Sequence, residues 1–115
     1  MKRKKRFKRD VMRAVSCYKD LIDSHCSIGD PTAALSLQFG VSRNILQLAF
    51  MNLYGENIRE YKLRLRMERG CELLTFGLEV KEIAQDLNYT KTRAFTTAFK
   101  KYHGYTPTAF CNSLN

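Results

Sequence analysis

A pattern of eight residues occurs twice in this chain, forty-eight positions apart: Leu35-Ser36-Leu37-Gln38-Phe39-Gly40-Val41-Ser42 and Ile83-Ala84-Gln85-Asp86-Leu87-Asn88-Tyr89-Thr90. Each copy reads as a short helix, a residue tolerant of a left-handed turn, an apolar plug and a hydroxyl that can cap the next helix. Further along, Leu46, Ala49, Phe50 and Gly55 match Phe95, Ala98, Phe99 and Gly104 at a separation of forty-nine, so one residue is inserted just after the second hydroxyl. A helix-turn-helix needs these residue types: a small side chain such as Ala84 where the helices cross, a tolerant turn position, and an apolar residue that pins the angle. The second helix can then protrude. One such match suits any helical hairpin, whereas two in register imply a duplicated helix-turn-helix.

The remaining periodicity completes an all-α reading of six or seven helices. Val11, Ala14, Val15, Tyr18, Leu21 and Ile22 recur at three and four residues and predict a helix over 10–24. A loop follows over 24–30, with Asp30 as a cap and Pro31 in the first position of a helix over 31–39. Gly40 turns the chain, Val41 packs inward and Ser42 caps a helix over 43–54, which Gly55 ends. A long amphipathic helix over 58–76 carries Ile58, Tyr61, Leu65, Leu73 and Leu74 on its apolar positions. Gly70 in its middle costs about 1 kcal/mol relative to alanine, which implies close packing against a neighbour or a local weakness. After Gly77, helices are expected over 80–87 and, capped by Thr90, over 91–102, with a final turn over 107–112. No useful length alternates with period two, so no strand is expected. The organisation is a basic flexible tail over 1–9, a first helix-turn-helix subdomain over 10–55, a linker helix over 56–76 and a second subdomain over 77–115.

Charge supports an anionic partner by its location more than by its total. Of twenty Lys and Arg, seven lie in the tail (Lys2, Arg3, Lys4, Lys5, Arg6, Lys8, Arg9), leaving thirteen against eleven acids in the body. Residues 31–55 and 87–115 contain no Asp or Glu at all. A surface that approaches phosphates should exclude carboxylates, which would repel the backbone they must touch. No apolar run approaches the roughly twenty residues of a membrane span, and the basic start lacks the apolar block of a secretory signal, so a cytoplasmic protein is expected. Cys17, Cys26, Cys71 and Cys111 form no CxxC pair and read as small reduced core residues. A metal site on Cys17, His25 and Cys26 needs further ligands from the fold, and no metal or cofactor is expected. No phosphate-binding glycine loop, HExxH or nucleophile with a base is present, so the chain does not read as an enzyme.

Ile83-Ala84, Asn88-Tyr89, Ala94-Phe95, Ala98-Phe99-Lys100-Lys101, Gly104-Tyr105 and Pro107 together resemble the C-terminal signature of the AraC/XylS family of bacterial transcription regulators. Ile58-Arg59-Glu60-Tyr61, Leu65-Arg66 and Leu73-Leu74 resemble that family's linker helix, and the likeness covers roughly residues 31–110. Asn88 stands where the family usually has glycine, but asparagine also tolerates a left-handed turn. Gly70 and Ser36 each replace a common alanine. The resemblance implies two helix-turn-helix units around a connecting helix, promoter binding, a nucleoid-associated location when bound, and an effector domain on the N-terminal side in many members.

With Ile45, Leu46, Ala49 and Phe50 assigned to the core, the first reading helix shows Arg43, Asn44, Gln47, Leu48 and Met51 outward. With Phe95, Ala98 and Phe99 in the core, the second shows Thr92, Arg93, Thr96, Thr97 and Lys100. Asn44 and Gln47 suit adenine, and Arg43 suits guanine or phosphate. Arg93 is the foremost base-reading candidate. The positions of Asn44, Gln47, Leu48, Thr92, Arg93, Thr96 and Thr97 are, by the resemblance, where the family touches bases. Leu48 and Thr97 replace a frequent arginine, which shifts readout toward methyl contacts and hydroxyls. Ser42, Thr90, Lys91, Lys100 and Lys101 are assigned to phosphates. An exposed Asn or Gln is ordinarily just solvated, and it is the repeat that raises these above that default. Arg66 is expected in an ion pair with Glu68 or Glu72, Phe and Tyr residues at helical spacing are core rather than stacking platforms, and His103 marks a helix end.

The linker is expected to hold the reading helices roughly 34 Å apart, about one DNA turn, so that one chain engages successive major grooves. The alternative function is a protein-interaction module that binds a regulator or RNA polymerase through the helical pairs. The basic tail suits phosphate tracking, a minor-groove clamp, a linker from an effector domain, or an anionic membrane surface.

Overall fold

The computed structural model describes residues 8–24 and 31–114. They form seven helices: α1 (Arg9–Ser24), α2 (Thr32–Phe39), α3 (Arg43–Tyr54), α4 (Ile58–Thr75), α5 (Val80–Asp86), α6 (Thr92–His103) and α7 (Pro107–Ser113). Among the described residues there is no strand. The chain divides into two compact units, with the division between Leu63 and Arg64 inside α4. The expected loop cap Asp30, and the His25 and Cys26 of the weighed metal site, lie outside the described residues.

In the first unit α1, α2 and α3 pack on one another. Val11, Ala14, Val15, Tyr18 and Ile22 from α1, Leu35 from α2, and Leu46, Ala49 and Phe50 from α3 are buried, with Ile58 and Tyr61 contributed by the first turn of α4. Phe50 is the hub. Its ring meets Tyr54, Tyr61 and Tyr18 edge-on, with centroids 4.8, 5.3 and 5.9 Å away. This is the arrangement the aromatic quadrupole prefers. The Tyr61 hydroxyl donates to the Asp23 carboxylate, which also pairs with Lys19 at 2.8 Å.

In the second unit Met67, Leu73 and Leu74 of α4 join Ile83, Ala84, Leu87, Phe95 and Phe99 in the core, and α7 closes it with Pro107. Gly70 is where α4 meets α6: a Cβ added there would lie 3.3 Å from two ring carbons of Phe95. Of the two expectations for Gly70, close packing is the one realised.

The two turns share a left-handed residue and one hydrogen bond. Gly40 sits at φ +65° and Asn88 at φ +66°, and the amide after each donates five residues back, Val41 to the Ser36 carbonyl at 3.0 Å and Tyr89 to the Ala84 carbonyl at 2.9 Å. These bonds satisfy carbonyls that a helix end otherwise leaves unpaired. Ser42 caps α3 as expected, accepting from the Ile45 amide at 3.2 Å. Thr90 does not cap α6. The N-cap is Lys91, which has no side-chain acceptor, because the residue inserted after Thr90 moves the cap position one place along. Pro31 also shifts by one, from the first helical position to the N-cap of α2. Two caps not foreseen complete the set: Asn57 exchanges reciprocal bonds with Glu60 at the start of α4, and Thr106 accepts from the Ala109 amide.

Two stability measurements follow from these details. The hydroxyl of Ser36 is buried and bonded to nothing in the protein. Ser36→Ala should therefore stabilise the fold by about 1 kcal/mol, read as a rise of a few degrees in the thermal midpoint. Burial pushes the Tyr61 phenol above its ordinary value of 10.0, and the Asp23 charge adds to this. A raised folded pKa means that the contribution of Tyr61 is intact below about pH 10 and is lost as pH climbs through the higher folded value. Tyr61→Phe should lower stability at neutral pH and flatten part of the alkaline loss in a series of denaturant melts.

Candidate nucleic-acid interface

The turn geometry decides which side of α3 and α6 is left open. With Leu46, Ala49 and Phe50 buried, α3 exposes Arg43, Asn44, Gln47, Leu48 and Met51. Ile45, assigned to the core from the sequence, is 37% exposed and belongs with them. Helical spacing places it on the border between the packed and open sides of α3, next to the fully buried Leu46.

In α6, Phe95 and Phe99 are fully buried, and Arg93, Thr97, Lys100 and Lys101 are exposed with Ala94 between them. Thr92 and Thr96 are half-buried, and the Thr96 hydroxyl donates to the Thr92 carbonyl at 3.1 Å. Its proton is thus already committed, and only its oxygen lone pairs and methyl group remain for a partner. Ala98, assigned to the core, is half-buried. Ser42, Thr90 and Lys91 are exposed at the entry to the two helices. Asn44, Gln47, Leu48 and Met51 share the open side of α3, and Arg93, Thr97 and Lys100 that of α6, with Thr92 and Thr96 nearer its packed side.

A hollow of about 470 Å³ lies beside α3, lined by Tyr18, Thr32, Gln47, Asn57, Ile58, Arg59 and Lys62. It brings two cations of α4 next to a base-reading candidate, and sequence reasoning passed over them. Arg59 and Lys62 are three apart, on one side of the first turns of α4, and that spacing was the available signal.

Glu68 pairs with Arg64 at 3.3 Å and Glu72 with Arg69 at 2.9 Å, and the Arg66 guanidinium lies 5.6 Å from the centre of the Tyr89 ring. Four- and three-residue spacing brings Arg64 and Arg69 to those acids, and Arg66 also reaches the plug of the second turn. His103 is more than a helix end: its Nε2 lies 3.4 Å from the Met67 carbonyl and 3.5 Å from the Cys71 sulfur, and its ring packs on Phe99. Burial pushes the Cys71 thiol up, with the Glu68 charge acting the same way. Cys17, Cys71 and Cys111 are free thiols and half-buried rather than core. Among the described residues no group of three or more potential ligands could hold a metal ion. No described helix is long and apolar enough to cross a membrane. The aromatic assignment holds for Tyr18, Phe50, Tyr61, Phe95 and Phe99, but Phe76 is 72% exposed and Tyr54, Tyr102 and Tyr105 are also exposed.

Known proteins match this architecture. A sequence model of the helix-turn-helix domain matches residues 35–113. The F1 operon positive regulatory protein of Yersinia pestis is 39% identical over 74 residues, 64% of this chain and 25% of that protein. The Msm operon regulatory protein of Streptococcus mutans is 32% identical over 77 residues, 66% of this chain and 28% of that protein. The chain therefore spans about a quarter of the length of these relatives. Among solved structures, the C-terminal domain of the response regulator yesN from Fusobacterium nucleatum superposes with a TM-score of 0.74 at 27% identity, covering 86% of this chain and 98% of that one. The DNA-binding domain of AdpA, solved with a target DNA, gives 0.72 at 19% identity over 92% and 93% of the two chains, a likeness of fold.

The uncapped start of α6 yields a direct test. Lys91→Ser supplies the missing acceptor and should stabilise the fold by about 1 kcal/mol, whereas Ser42→Ala should cost about the same, both read by thermal melts.

Proposed function

The chain belongs to the AraC/XylS family of helix-turn-helix transcription regulators, and from that membership we propose that it binds double-stranded DNA sequence-specifically, with α3 and α6 as reading helices in successive major grooves. The observation that carries the proposal is the make-up of the two open helix sides: exposed, rich in donors, and without a carboxylate on either α3 or α6. A protein that binds DNA displaces condensed counterions, and a carboxylate at that surface would oppose it.

The residues divide by chemistry. Asn44 and Gln47 have the paired donor and acceptor that match adenine N7 and N6, and Arg43 and Arg93 have the fork that matches guanine O6 and N7. Leu48, Thr92, Thr96 and Thr97 complete the base-facing set. Lys91, Lys100 and Lys101, with the hydroxyls of Ser42 and Thr90, take phosphates and set the register; Arg59 and Lys62 join them beside Gln47. The proposal extends to a cytoplasmic, nucleoid-associated regulator, with an effector domain on the N-terminal side as the source of its signal.

A second reading has its own support. Phe76 and Leu114, 72% and 51% exposed, leave apolar surface on the second unit, which favours contact with RNA polymerase or another regulator alongside or instead of DNA.

Selection of bound duplexes from a random pool, followed by titration at several salt concentrations, separates the two. A DNA reader should enrich a motif and show a steep salt slope, and a protein-only module should do neither. On the selected duplex, Arg93→Ala should cost about 1–3 kcal/mol and relax preference at one base pair. Lys100→Ala should weaken specific and random duplexes alike and reduce the salt slope by about one. Inserting about five base pairs, half a turn, between the two half-sites should reduce affinity toward that of one half-site alone. Equal losses for both mutants on both duplexes would contradict the assignment.

A further inference from the structure

The repeat places the two reading helices in one register, so their open sides can be compared residue by residue. Asn44, Gln47, Leu48 and Met51 of α3 correspond to Arg93, Thr96, Thr97 and Lys100 of α6. In α6 the exposed residues of this set are a guanidinium, a hydroxyl and an ammonium. In α3 the same places hold amides and bare hydrocarbon, with Leu48 46% and Met51 48% exposed and Ile45 adding to them at 37%. These three follow one another at three-residue steps and so form a continuous apolar strip beside Asn44 and Gln47.

From this we infer that the first unit reads an A·T-rich half-site by apolar contact of Leu48 and Met51 with thymine 5-methyl groups, while the second reads a half-site containing guanine. The inference rests on the DNA-binding reading above. In the major groove the thymine methyl is the one apolar feature among base edges that are otherwise donors and acceptors. The neighbours of the strip select the same base pair, because the amides of Asn44 and Gln47 match adenine, the partner of thymine. Charge also favours a nucleic acid over a protein as occupant: Arg43 stands at the start of the strip, and residues 31–55 hold no carboxylate. Burying one methyl-sized group corresponds to about fourfold in affinity.

The experiment uses the full chain and the duplex it selects from a random pool. The half-site of the first unit is the one whose base preference relaxes in Asn44→Ala. Thymines are replaced by deoxyuridine, which lacks only the 5-methyl, in one half-site at a time. Affinity should fall about fourfold for each contacted thymine in the first half-site, and the same replacement in the second should change it little. Leu48→Ala should weaken binding to the thymine duplex and reduce the difference between thymine and deoxyuridine, and Met51→Ala should do the same at a neighbouring position. Both side chains are exposed, so circular dichroism should report an unchanged fold. Selective, salt-dependent binding that ignores deoxyuridine, or a deoxyuridine effect that persists undiminished in both variants, overturns this inference and leaves the DNA-binding reading standing. Absence of any selective duplex binding overturns both and assigns the strip to a protein partner.

Discussion

A phenyl ring buried at the same place in α3 and in α6 sets the orientation of everything outward of it. Phe50 is enclosed by Tyr18, Tyr54 and Tyr61, and Phe99 by Phe95, His103, Tyr105 and Phe110. Because side chains in a close-packed interior occupy defined rotamers, a ring locked on several sides fixes the rotation of its helix about its own axis. Rotation by one residue would carry Leu48 or Thr97 toward the core and bring a buried ring to the surface, a loss of several kcal/mol. The presentation of Asn44 or Arg93 to solvent is thus a consequence of hydrophobic packing on the opposite side of the same helix.

The turns supply the other half of that constraint. Gly40 and Asn88 adopt nearly equal left-handed conformations, and each is followed by an amide that donates to a carbonyl five residues earlier. The two solve the steric problem differently, glycine by lacking a Cβ and asparagine by tolerating the conformation. The apolar plugs then settle against their own units: Val41 is buried, and Tyr89 packs on Phe95 while lying under the Arg66 guanidinium. Crossing geometry also depends on what is missing. Gly70 admits the Phe95 ring to a distance that any β-carbon would crowd, so the helix propensity lost at Gly70 is offset by the closeness it allows.

Which features were legible in the sequence depends on whether they are local. Helix bounds, the left-handed turns and the Ser42 cap are each set by a few consecutive residues, and they were readable to within a residue. Thr90 was misread as a cap although its type was right, because capping depends on where the helix begins, and one inserted residue moved that start beyond it. Ile45 was misassigned because spacing alone places it on the border between the packed and open sides of α3, and exposure there is decided by neighbouring elements. The contacts of Arg66 with Tyr89 and of His103 with Met67 and Cys71 join segments far apart in the chain, and periodicity carries no information about such contacts. Arg59 and Lys62 became visible as neighbours of Gln47 only when α3 and the start of α4 were seen to enclose one hollow.

The two units agree where they must pack and differ where they need not. Leu35 and Ile83, Leu46 and Phe95, and Phe50 and Phe99 are matched positions, and all six are buried. Their matching residue types answer the same requirement, to fill a small helical core without voids. At the open positions no such requirement applies: Asn44 faces Arg93 in the comparison, Leu48 faces Thr97 and Met51 faces Lys100. Exposed leucine and methionine gain nothing from water, so their presence at positions equivalent to a hydroxyl and a cation is not explained by folding stability. A fold whose interior is duplicated and whose exterior is not has one way of presenting a helix and two sets of chemistry to present. The interior is therefore set by its own side chains, and the open sides of α3 and α6 are left to differ.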